Sequence, residues 1–93
     1  MTSSAAKYPY FGIPPARDPR PAANEPALFG KRLTLSTPEG FIEDMRAVSE
    51  RYVDERNRDV VDITSEVGYF AWILTGESPT RETWSTHLVW VQP

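Results

Sequence analysis

The sequence predicts an α+β fold: a small antiparallel sheet of three to four strands, one amphipathic helix packed on one face in β-α-β-β order, and a preceding extended, Pro-rich N-terminal arm. Three observations carry this prediction. The runs Val67–Leu74 and Leu88–Val91 are apolar at most consecutive positions, as in strands covered on both faces. Thr37-Pro38-Glu39 has the form of a helix start, and a stripe at helical spacing follows it. Six of the nine prolines lie in residues 1–30 and rule out a regular helix or central strand there. The expected division is an arm, residues 1–30, and a compact domain, residues 31–93.

The arm has two parts. Tyr8, Tyr10, Phe11 and Ile13 place four large apolar side chains within six residues, unlike a flexible linker. From Pro14 to Pro26 the arm turns polar and Ala-rich, a semi-rigid spacer of extended or polyproline type. Its prolines never fall at the spacing of a PxxP ligand.

Arg32–Ser36 alternates with period two, so Leu33 and Leu35 share one face of a short strand. Thr37 then reads as an N-cap, Pro38 as the first helical residue and Glu39 as an acid at the positive end of the dipole. Phe41, Met45, Val48 and Tyr52 form the inward stripe of a helix ending near Asn57, with Glu43, Glu50, Arg51 and Asp54 outside.

Val60–Thr64 is β-branched and strand-like. Glu66–Thr75 is expected to continue as a strand, because β-branched and aromatic residues dominate it and Gly68 sits inside it. The alternative is a helix, since Val67, Phe70, Ala71 and Leu74 also recur at spacings of three and four. After a turn at Gly76–Pro79, Thr83–Gln92 is the last strand. Period-two parity groups Phe70, Trp72, Leu74, Trp84, Leu88 and Trp90 as one set, which would pack on the helix if the aromatic-rich face is the covered one. It leaves Tyr69, Ala71, Ile73, His87, Val89 and Val91 on a second apolar face that needs a cover.

Composition narrows the function. There is no cysteine, which excludes disulfides, thiolate metal sites and a nucleophilic thiol. No stretch has the length of a membrane span and the N-terminal residues hold no apolar leader, so a soluble, cytoplasmic protein is expected. His87 is the single histidine, which argues against a zinc site; its shared parity with Ser85 is a very weak catalytic signal. No phosphate loop, dinucleotide glycine pattern or calcium loop is present. No catalytic residue, cofactor or metal is therefore expected.

Charge is uneven along the chain. Residues 1–32 carry a net +3 and the remainder −6, so the arm can lie on an acidic body, its own or a neighbour's, while that body repels phosphate backbones. Eight Arg against two Lys fit a GC-rich genome, as in many bacteria and their phages. The expected function is a small non-enzymatic protein-binding module: a homodimer, an assembly subunit or a regulatory inhibitor. Its partner is another protein or a second copy of itself. The expected partner-binding residues are Tyr8, Tyr10, Phe11 and Ile13 in the arm and Tyr69, Ile73, His87, Val89 and Val91 on the sheet. The alternative is a nucleic-acid-binding regulator using Arg17, Arg20, Lys31 and Arg32.

Overall fold

A computed structural model describes Pro14 and residues 20–92. Among these the elements are β1 (Arg20–Pro21), a 3-10 turn (Ala22–Asn24), β2 (Arg32–Thr37), β3 (Gly40–Ala47), β4 (Tyr52–Val53) and β5 (Asp59–Ser65). There follow α1 (Glu66–Thr75), β6 (Glu82–Ser85), a second 3-10 turn (Thr86–Leu88) and β7 (Val89–Val91). All strand pairs are antiparallel, in the order β1-β7-β2-β3-β5-β4, with β6 on β5. Val60 pairs with Tyr52 on one side and Ser85 on the other, so β4 and β6 flank opposite edges of β5. Only one 3-10 turn separates β6 from β7, which pairs with β2, so the sheet curls into a half-barrel.

This architecture corrects the expected sheet of three to four strands with a helix packed on it. The segment expected to be helical over 38–57 instead supplies β3 and β4. The apparent helix start closes a β-hairpin. Pro at the second position and Gly at the fourth also mark a β-turn, and Thr37 pairs directly with Gly40. The Glu39 N–H donates to Thr37 Oγ1 (3.2 Å), and that hydroxyl donates to the Gly40 carbonyl (2.7 Å). Gly40 has φ 139°, outside the helical region.

A β-bulge reproduces one helix-like spacing, Ile42 to Met45, while the expected stripe is split, Phe41 pairing with Ser36 on one face and Met45 with Leu33 on the other. Leu35 pairs with Ile42 and Leu33 with Met45, so β3 holds one residue more than β2 over this stretch, and Asp44 takes φ 62°. Ile42 and Met45 therefore share a face at a separation of three, as they would on a helix.

The core lies on the inner face of the curl. Leu33 and Leu35 of β2, Ala47 of β3, Val61 and Ile63 of β5, and Val89 and Val91 of β7 are all buried there, with Met45 and Trp84 packed against them. Ala22 and Leu28 join this core, and Arg20 pairs with Val91, so the body takes in residues 20–30 as well as the stretch from Lys31 onward. Glu50 secures that entry segment: its carboxylate accepts from the backbone N–H groups of Leu28 (2.6 Å) and Phe29 (3.2 Å).

The turn Thr86–Leu88 shifts the alternation of the last strand. Trp84 packs on the core, yet the next inward positions are Val89, five residues later, and Val91. Trp90 faces the outer side in register with Pro21 and Thr34, which corrects its expected place under a helix.

Candidate functional site

Helix α1 is bracketed by its own sequence. Ser65 is the N-cap, its Oγ accepting from the Gly68 N–H at 3.0 Å, and Glu66 occupies the first turn. Gly76 closes the helix in the left-handed conformation (φ 80°) and donates its N–H to the Trp72 carbonyl at 2.8 Å.

Three contacts hold α1 to the sheet. At Gly68 the backbone comes so close to β5 that a Cβ would lie 3.0 Å from Thr64 Oγ1 and 3.2 Å from Ser65 Oγ. Tyr69 covers Gly30, and Trp72 meets Phe29 edge-on at 5.9 Å between centroids. Arg46 is the third. Its guanidinium donates to the Gly30 carbonyl (2.8 Å) and to Glu66 Oε2 through Nε (3.0 Å), with Nη2 2.9 Å from the same oxygen. It also lies 5.5 Å from the Tyr69 ring centroid and 5.1 Å from that of Phe70. Arg32 extends the network, bonded to Asp44 at 2.6 Å and 3.7 Å from Glu66; Asp44 first and Glu66 second push its guanidinium above the ordinary value.

Most of these anchors use one side of the helix, and the Arg46 guanidinium also reaches Phe70 beyond it. At 100° per residue Gly68, Tyr69 and Trp72 share that side, and Val67, Phe70, Ala71 and Leu74 fall on the opposite one. Val67 and Leu74 are each 82% exposed, Ile73 58% and Phe70 45%, and no residue of α1 is buried. Between Glu66 and Glu77 there is no charged side chain. A helix that is apolar all round belongs in an interior. Here half of it faces water.

Several outer polar groups are paired with one another, whereas the buried indole N–H of Trp90 has no hydrogen-bond partner among the described residues. Asp62 accepts from the Tyr52 hydroxyl (2.6 Å) and from Thr83 Oγ1 (2.9 Å), and sits 3.8 Å from Arg81; the Tyr52 bond pushes that phenol above its ordinary value. Asp54 accepts from the Arg58 Nε (2.9 Å) and from the backbone N–H groups of Arg58 (2.9 Å) and Arg56 (3.0 Å). The Arg58 side chain, then that backbone bond, hold its carboxyl below the usual range. Ser85 Oγ accepts from the backbone N–H of His87 and caps the 3-10 turn, and His87 is exposed. Among the described residues no cluster of His, Cys, Asp and Glu is arranged to hold a metal ion. None of their helices is long and apolar enough to cross a membrane.

The predicted partner-binding residues are dispersed. Tyr8, Tyr10, Phe11 and Ile13 lie outside the described residues. Ile73 is exposed on α1, and Tyr69 is half-buried on its anchored side. Val89 and Val91 are core residues covered by their own chain. Sequence reasoning missed Val67, Phe70 and Leu74 as surface groups. Their common stripe is the helical alternative to the expected strand, and the Ser65 and Gly76 caps are the signal that selects it. Comparison with protein families, with curated proteins and with solved structures finds no match.

Proposed function

We propose that this protein is a small non-enzymatic interaction module and that the outward stripe of α1 is its binding element. The observation that supports this reading is a helix without a charged side chain whose Val67, Phe70, Ile73 and Leu74 face solvent. Taking a fully exposed large apolar side chain as about 150–200 Å², these four leave roughly 450 Å² of apolar surface in water, the size at which a patch on a monomer is often functional. Ten residues are too few to span a bilayer, and a helix lying on a membrane surface carries basic residues that α1 lacks. A protein surface is the environment that fits.

The test is quantitative affinity capture from an extract of the encoding organism, comparing the full chain with a Val67→Glu/Leu74→Glu variant. Both positions are exposed, so the variant should keep the wild-type melting temperature and lose its bound protein. A bound set identical for the two chains overturns the reading. Nucleic-acid binding gains no comparable support: Arg20 and Arg32 are paired with Glu25, Asp44 and Glu66.

A further inference from the structure

We infer that residues 8–13 of this chain lie across the outer face of β7, β2 and β3, so that the N-terminal arm is part of the fold. The inference is independent of the reading of α1.

The first argument is burial. Leu33 and Leu35 point into the core, so Thr34 and Ser36 point outward, yet these two are only 3% and 0% exposed. An antiparallel sheet with its core on one face ordinarily turns the other to water. Trp90 and Phe41, which pair with Thr34 and Ser36, can lean over such small side chains. They are themselves half-buried, and the Trp90 indole nitrogen is buried outright. A further layer lies over them. The described elements cover other ground: Ala22 and Leu28 join the inner core, and α1 is anchored at Gly30, Arg46 and Thr64. Those anchors sit at the Arg32 end of β2, and Ser36 is about 13 Å further along the strand at 3.3 Å per residue.

The second argument is reach. Pairing of Arg20 with Val91 and of Pro21 with Trp90 starts the described body at the edge of this same face. From Ile13 to Arg20 is seven residues, up to about 23 Å of extended chain. Crossing three strand spacings to β3 and advancing three residues to the level of Ser36 is a diagonal of about 17 Å. Pro14, Pro15 and Pro19 favour the extended form that uses this length. The arm can cover its own sheet without a second copy.

The third argument is chemistry. Tyr8, Tyr10, Phe11 and Ile13 bring four large apolar side chains to a surface that carries Trp90 and Phe41. The Trp90 indole is a buried donor with no acceptor among the described residues. It calls for an oxygen. Extended backbone makes no hydrogen bonds within itself, so a carbonyl of the segment, or either of its Tyr hydroxyls, can supply one.

The chain has no cysteine, so a nitroxide on full-length Gly12→Cys reports a single position. In isotope-labelled protein it should broaden the amides of Thr34, Ser36 and Trp90, and spare the turn Asp54–Asn57 beside β4, at the opposite end of the strand order from β1. Mixing spin-labelled chain without isotope into isotope-labelled chain without spin label should broaden nothing. Broadening in the mixture puts a neighbour's arm on the face and overturns the proposal. So does a label that spares the outer face. Independently, Tyr8→Ser, Tyr10→Ser, Phe11→Ser and Ile13→Ser together should speed hydrogen exchange of the Trp90 indole N–H by about tenfold or more, while the indoles of Trp72 and Trp84 keep their rates. An unchanged Trp90 rate overturns the proposal as well. The spin label leaves those four side chains in place, so it reads docking even where the serine variant does not fold.

Discussion

Replacing Arg46 by Met would remove the guanidinium that docks α1 while keeping a flexible apolar stem of similar length. The variant loses a charge-assisted bond to the Gly30 carbonyl, worth about 1.5 kcal/mol. It also loses an ion pair with Glu66 whose members are 23% and 26% exposed, worth about 1 kcal/mol after solvent screening. The contacts to the Tyr69 and Phe70 rings add about 0.5 kcal/mol each at a partly exposed site. Allowing for the packing that Met retains, the loss is about 2–3 kcal/mol. It should be local, because Arg46 lies outside the buried core. Hydrogen exchange read by NMR is the assay: amides of Tyr69–Gly76 should exchange about 30- to 160-fold faster, while those of Leu33, Leu35 and Ile63 hold their rates. Unchanged protection across α1 would refute the assignment of Arg46 as its anchor. Equal loss in helix and core would show that α1 opens only with the whole sheet.

Two further perturbations address the body. Ile63→Ala at a fully buried site on β5 should lower unfolding free energy by about 3–4 kcal/mol, read as a lower urea midpoint at unchanged slope; a loss under 1 kcal/mol would mean that the inner face is not the core. Asp54 titrates below its ordinary value in the folded chain, so its contribution is present above the unfolded pKa and is lost as pH falls through the folded one. Asp54→Asn should therefore flatten the acid limb of stability below about pH 4 and leave the slope near neutrality unchanged; an identical acid limb in both chains would contradict the Asp54–Arg58 pairing.

Part of the fold could be read from the residues and part could not, for identifiable reasons. The strand at Arg32–Ser36 and the β-branched run at Val60–Thr64 rest on local composition, and both lie within strands of the structure. The helix lies one segment later than expected, at Glu66–Thr75. Thr37-Pro-Glu-Gly is chemically ambiguous between an N-cap and a β-turn, and only the long-range pairing with β2 and β5 decides it. The bulge at Asp44 then disguised a strand by restoring a spacing of three. At Glu66–Thr75 intrinsic β-propensity pointed to a strand, yet the caps at Ser65 and Gly76 and the docking of Gly68 on Thr64 outweigh it. Parity failed in the last strand because one 3-10 turn of three residues reverses which side chains face inward, so Val89 and Val91 became core and Trp90 did not. An excess of apolar side chains was legible in the sequence, but the sheet face expected to need a cover is the core, with Val89 and Val91, and Val67, Phe70, Ile73 and Leu74 lie exposed on α1 instead.

The division of one run between β6 and β7 has a consequence for how the chain reaches this state. β6 zips onto β5 and β7 onto β2, with Leu33 meeting Val91 across most of the sequence. The hairpin β2–β3 closes a two-residue loop and can form within microseconds, whereas residues 82–91 must find both destinations across long chain separations, an entropically slow search. Until they arrive, Leu33 and Leu35 lack their β7 partners and β2 presents an unpaired edge. The rate of sheet closure, more than the stability of the closed sheet, then sets how long a nascent chain is exposed to aggregation and to chaperones.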